Sequence, residues 1–137
     1  MFALSAKSID GRDFRRTAKD RESGAWVVFE GRVRAKSRGR KVRWLEYEAS
    51  PKLAAAEFGR IVREIRRKFE VVDVFCVHRV GRVRVGRTAV RVAVTAAHRD
   101  AAFAACRYAI DQLKKRLPIW KKEYFSDGTA AWVRHGK

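Results

Sequence analysis

Acidic residues are in short supply in this sequence: 15 Asp and Glu stand against 33 Lys and Arg, leaving a formal charge of +18. Such an imbalance informs association and solubility rather than fold, and it favours an anionic substrate or a polyanionic partner. Cysteine is scarcer still. Cys76 and Cys106 have no close-spaced partner, fall on apolar faces of a predicted strand and helix, and read as small buried hydrophobes. Long apolar runs are missing as well, since stretches such as 26–29 and 71–77 fall far short of the roughly 20 residues a membrane span requires. The opening MFALSAKSIDGRDFRR lacks the long apolar region of a secretory signal, so a cytoplasmic protein is expected.

Several chemistries are excluded by missing motifs. There is no P-loop and no G-x-G-x-x-G; Gly81 and Gly86 belong to neither pattern. The serines lie in no nucleophile-elbow context, and His78, His98 and His135 are the only histidines. Cys76 and His78 share a strand face, but two ligands without a third do not make a zinc site. Nucleic-acid binding has the charge in its favour. Against it, the basic residues are scattered through strands and helices, and neither an RNP-like aromatic motif nor zinc-finger spacing occurs.

What is present suits one domain. A chain of 137 residues, 47% hydrophobic, is long enough to bury about two-thirds of its unfolded surface in a single core. Residues 1–23 are poorly defined, with a short edge strand at 2–4 and a polar helix or loop over 10–20. Over 24–34, GAWVVFEGRVR reads as a buried strand from which Arg34 emerges. The basic, glycine-containing stretch 35–41 is expected to be a mobile loop, fitting a lid and a hairpin tip equally, before a returning strand over 42–48. Ser50 and Pro51 mark a helix start, followed by Leu53, Phe58, Ile61, Val62, Ile65 and Phe69 at helical spacing. Strands are predicted over 71–80 and 88–96, with a short ribbon between Gly81 and Gly86. A second helix follows His98 and Arg99 and turns Ala102, Phe103, Cys106, Ala109, Ile110, Leu113 and Leu117 inward. The chain then runs extended from Pro118 to Phe125, turns at Asp127-Gly128 and returns through Trp132 as a hairpin. The fold class is α+β.

The chemistry concentrates in DQLKKRLPIWKKE, residues 111–123. Pro118 cannot continue a helix, so Lys114 and Lys121 lie on two segments separated by a break, where their long side chains can converge. A solvated basic helix end, suited to the helix dipole, accounts for the same residues. His98 and Arg99 sit at a strand-to-helix junction, where free backbone N–H groups and a guanidinium attract anions.

Taken together, GAWVVFEGRVR, LEYEAS before a helix, HRVGRVRVG, AHRDAAF and DQLKKRLPIWKKE, then DG and WV, resemble the large, catalytic subunit of molybdopterin synthase. The match runs in order from Gly24 to Val133. The resemblance implies an α/β-hammerhead fold with an antiparallel sheet, two main helices and a C-terminal hairpin. It also implies a homodimer within a heterotetramer, in which each large subunit binds a small ubiquitin-like sulfur carrier by its C-terminal Gly-Gly thiocarboxylate. Sulfur passes to cyclic pyranopterin monophosphate, forming the dithiolene of molybdopterin, with no resident cofactor or metal. On this resemblance Lys114 is the principal chemical residue and Lys121 its electrostatic or acid-base partner. Arg34, His98 and Arg99 bind negative oxygens, and Arg134 is the candidate to reach a neighbouring subunit's pocket. The sequence departs from the family at Ala35, Lys36 and Ser37, where Asn-His-Asn is common, and at Arg87, where an acidic residue is common. A nucleic-acid-binding protein and a catalytically silent paralogue on the same scaffold are the alternatives.

Overall fold

A computed structural model describes residues 1–14 and 20–133. Two sheets and two helices share the chain. The first sheet has the order β1-β5-β7-β2, built from β1 (Phe2–Ser5), β2 (Ala25–Arg32), β5 (Asp73–Arg79) and β7 (Thr88–Ala96). Only the β1–β5 pairing is parallel. The second runs β3-β4-β8-β9, from β3 (Lys36–Ser37), β4 (Arg40–Ala49), β8 (Ile119–Phe125) and β9 (Ala130–Val133), with β6 (Gly81–Arg84) also paired to β4. This is the α+β arrangement expected, with two main helices and a closing hairpin.

Helix α1 (Pro51–Lys68) and helix α2 (Arg99–Arg116) cover one face of the first sheet. Ser50 does hold the N-cap position of α1 in an extended conformation, with Pro51 beginning the helix, but its hydroxyl makes no capping bond. Phe58, Ile61 and Ile65 of α1 meet Val74, Cys76, Val92 and Val94 of the sheet, and Cys106 joins them from α2. Both cysteines are free and buried. Burial pushes the Cys76 thiol up to about 12, so it is held as the inert thiol.

Three expectations about faces need correction. Leu53 and Phe103 are each 62% exposed rather than turned inward. The buried stripe of α2 is instead dominated by small residues, Ala102, Ala105 and Ala109, which let the helix lie close to the sheet and leave no room there for a phenyl ring. Strand β2 is not buried on both sides: Trp26 and Val28 alternate outward while Val27 and Phe29 pack under the helices. The poorly defined N-terminal segment contributes real core, because Ile9 and Phe14 cover Phe75, Val77 and Ala93 on the sheet's other face.

The stretch 35–41 forms a tight hairpin. Lys36 pairs with Lys41 and Ser37 with Arg40, and the turn needs positive φ at both Arg38 and Gly39, a geometry that matches the twist of the flanking strands. Arg87, one of the departures from the family pattern, pairs with Asp10 at 3.0 Å. Asp10 also accepts the backbone N–H of Thr88, tying the N-terminal segment to the start of β7.

The helix pair is joined by a half-buried ionic knot. Arg116 reaches Glu57 and Glu64 of α1 at 2.7 Å each, and Tyr108 donates to Glu64 at 2.6 Å. Arg116 is therefore structural, and not part of a solvated basic end. It fixes the last turn of α2 immediately before the chain leaves the helix at Leu117 and Pro118.

Candidate active site

Where α2 ends, the two sheets part and enclose a cavity of about 430 Å³. Its floor is apolar: Phe29 and Val90 of the first sheet, Ile110 and Leu113 of α2, and Leu45 and Ile119 of the second sheet. Its polar lining is mainly cationic. Lys114 enters from the last turn of α2 and Lys121 from β8, so the break at Pro118 brings the two lysines to one cavity. The carbonyl of Pro118 accepts the N–H of Ser50 at 3.2 Å, which fixes the exit of the chain against the start of α1. Arg34, just beyond β2, and Lys36 of β3 complete the cationic rim.

Strand alternation decides which residues of β8 take part. Ile119, Lys121 and Glu123 line the cavity, whereas Lys122 lies over the rings of Tyr124 and Trp132 on the opposite face. Trp120 is 45% exposed and absent from the lining, so the desolvation of Lys121 comes from the apolar floor rather than from this indole. Lys121 is held below the ordinary lysine value, first by burial and then by repulsion from Lys114; Glu123 opposes the shift and Arg34 adds to it. A lysine so placed yields its proton more readily than one in water.

Two residues not anticipated from the sequence also line the cavity. Tyr47 lies directly opposite Lys121 in the β4–β8 register, and its phenol is pushed up to about 12 by burial and by the Glu123 carboxylate. His78, near the end of β5, presents its ring edge-on to Tyr47 with centroids 5.0 Å apart. The available signal was the alternation of β5, which sets residues 74, 76 and 78 on one face. Val74 and Cys76 meet the helices, and His78 lines the cavity beyond them.

Two other expected site residues are elsewhere. His98 and Arg99 are exposed at the N-terminus of α2, and 16 residues of helical rise, roughly 24 Å, separate His98 from Lys114. Neither lines this chain's cavity. Arg134 lies outside the described residues. No group of three or more His, Cys, Asp or Glu placed to hold a metal ion occurs among the described residues.

Comparison with known proteins places the geometry in context. The family model described as MoaE protein matches residues 4–116. The chain belongs to the MoaE family. A molybdopterin synthase catalytic subunit from Nostoc sp. is 43% identical over 136 residues, covering 98% of this chain and 82% of that protein. The crystal structure of molybdopterin synthase from Staphylococcus aureus superposes with a TM-score of 0.89 at 35% identity, covering 96% of each chain. A complex of subunits 1 and 2 of molybdopterin-converting factor from Helicobacter pylori shares the fold, with a TM-score of 0.80 at 20% identity over 97% of this chain and 90% of that one. The match to the family model ends at Arg116, so the Pro118 break and Lys121 lie beyond the matched residues.

Proposed function

We propose that this MoaE-family chain is the catalytic subunit of a molybdopterin synthase, moving sulfur from the thiocarboxylated tail of a small ubiquitin-like subunit to cyclic pyranopterin monophosphate. The observation that carries this reading is the convergence of Lys114, Lys121 and Arg34 on one cavity with an apolar floor. Both reactants are anions, one a phosphate ester and the other a thiocarboxylate. Fixed cations in a partly dry cavity hold such charges in place and stabilise the charge that develops as bonds change. The sulfur arrives on the partner. This agrees with two cysteines that are buried and, in the case of Cys76, held protonated.

In this reading Lys114 is the principal chemical residue and Lys121 its acid-base partner, the latter poised to give up and recover a proton. Arg34 orients the anionic ends of the reactants. His98 and Arg99, remote from their own chain's cavity, serve the cavity of a second copy, which makes the homodimer a requirement of the site. Arg134 has the same role in trans. Two such copies with two sulfur carriers form a heterotetramer. Among the described residues no helix is long and apolar enough to cross a membrane, and the reading places the enzyme in the cytoplasm.

The test is direct. The purified chain is mixed with a thiocarboxylated small subunit and the cyclic pterin, and dithiolene product is assayed. Product is expected in wild type and absent from Lys114→Ala. Failure with several competent sulfur carriers would sink the reading.

A further inference from the structure

His78 lines the cavity, and the sulfur-transfer reading leaves it without a task. The Nδ1 of His78 lies 2.7 Å from the carbonyl oxygen of Arg79. A carbonyl can only accept, so Nδ1 carries the hydrogen and, in the neutral ring, Nε2 is left as an acceptor. The bond is well anchored: the Arg79 guanidinium donates to the carbonyls of Ala6 and Arg82, which holds the end of β5 to its neighbours. Tyr47 packs its ring against the imidazole edge-on, further limiting rotation. Among the described residues Nε2 has no hydrogen-bond partner, and it is not among the sealed polar atoms that lack one. His78 lines the cavity, so its free acceptor is open to whatever binds there.

The surroundings keep this ring uncharged. Burial brings His78 down to about 4; the hydrogen bond to the Arg79 carbonyl, second in size, opposes the shift, and the positive charges of Lys121 and Lys114 add to it. A group so reluctant to take a proton is a poor base near neutral pH, and its service is to accept a hydrogen bond. The remaining charged wall is mostly cationic. Lys114, Lys121, Arg32, Arg34 and Lys36 only donate, the Glu30 carboxylate already accepts from Thr88 and Arg91, and the carboxylate of Glu123 acts on Lys121 and Tyr47. A pterin phosphate needs both kinds of partner, because its phosphate accepts hydrogen bonds while its amino and ring N–H groups donate them.

We propose that His78 is a further substrate-binding residue, its Nε2 accepting an N–H from the heterocyclic end of the substrate while the lysines and Arg34 hold the phosphate. The inference rests on the pterin reading above and adds to it the orientation of the substrate within the cavity. A neutral acceptor suits this end of the molecule. It selects an N–H donor without neutralising the cations that the phosphate requires.

Two variants separate the atoms of the ring. In His78→Asn the amide N–H can still donate to the Arg79 carbonyl, but nothing reaches the position of Nε2. In His78→Gln the longer amide reaches it and offers an oxygen. Titration calorimetry on the full chain is run with cyclic pyranopterin monophosphate and, separately, with inorganic phosphate as a probe of the cationic end alone. His78→Asn is expected to bind the pterin about tenfold more weakly and inorganic phosphate unchanged, with His78→Gln recovering part of the loss. In wild-type protein labelled with ¹⁵N-histidine, Nε2 is expected to give the signal of an unprotonated nitrogen that moves on adding the pterin, while Nδ1 stays. Equal pterin affinity in wild type and His78→Asn would overturn the proposal, as would equal weakening toward both probes or a protonated Nε2 in the free protein. A wild-type chain that binds phosphate but not the pterin would instead bring down the pterin reading, and this proposal with it.

Discussion

Tyr47 and Lys121 are direct cross-strand partners on β4 and β8, so a half-buried phenol and a proton-yielding lysine project side by side into the same cavity. The strands carry this relationship, whereas Lys114 reaches the cavity from a helix. A site with one lysine on each kind of element is sensitive to how the helix and sheet are joined, and that join is Pro118 with its hydrogen bond to Ser50.

The two lysines are expected to be separable from the fold. Lys114→Ala and Lys121→Ala should each reduce single-turnover sulfur transfer by about 100-fold or more, with an unchanged melting temperature and unchanged dimer mass. In wild type the rate should rise with pH as Lys121 loses its proton. Removing a repelling cation by Arg34→Gln makes that proton harder to lose, so the rising limb should move to higher pH. A limb that stays in place in Arg34→Gln would count against Lys121 as the titrating group.

Residues at opposite ends of α2 should complement one another. Lys114→Ala and Arg99→Ala homodimers are each expected to be impaired. A mixed dimer pairs one doubly damaged cavity with one intact cavity if Arg99 acts on the partner's site. Mixing the two variants under exchange conditions should therefore restore up to about half of wild-type activity per mixed dimer, a mass-action consequence of shared sites. Activity no greater than the average of the two homodimers would place Arg99 outside the shared site.

His78 should leave a mark on stability in acid. Its ordinary value is 6.5 and its folded value about 4, so between these the unfolded chain takes up a proton that the folded chain refuses. The contribution is complete above the unfolded value, declines as pH falls through that window and is gone below the folded value; its full size is about 3 kcal/mol. Urea titrations from pH 7 to pH 4 should show a steeper loss of stability in wild type than in His78→Asn. Parallel slopes would mean that the ring is charged in the folded state.

Gly31 is expected to tolerate no side chain while Val90 faces it. A Cβ at Gly31 would fall 2.8 Å from a Val90 methyl and 3.3 Å from the Phe29 ring, at the cavity wall where β2 shifts register. Gly31→Ala should cost about 1–3 kcal/mol, the usual range for overpacking. Adding Val90→Ala should recover part of the loss by making room. The double variant's melting temperature decides this, and a value below both single variants would refute the steric account.

Much of this architecture can be read from spacing alone. The periodicities of α1, β5 and β7 are strong, Pro118 marks the end of a helix, and Asp127-Gly128 closes a hairpin. Periodicity says which residues share a face, but not whether anything covers it. Trp26 and Val28 look like core until the helices are found on the other side of β2. Phe103 misleads for a related reason, since the face of α2 nearest the sheet is chosen for smallness rather than hydrophobicity. The lysine pair was legible because it needed only a helix, a break and a strand. Tyr47 and His78 were not, because their meeting depends on packing between two sheets that no local pattern encodes.

Strand β8 is hydrogen-bonded along both edges, to β4 and to β9, and so is locked in phase. That lock matters because lysine occupies two successive positions. A slip of one residue would still deliver an ammonium group to the cavity, from Lys122, while replacing Ile119 by Trp120 and Glu123 by Tyr124. The ammonium would be conserved, but the Glu123 carboxylate and the chemistry would be lost. The parity of the strand, odd residues toward the cavity and even ones toward the aromatic face, is what distinguishes two adjacent and chemically identical side chains.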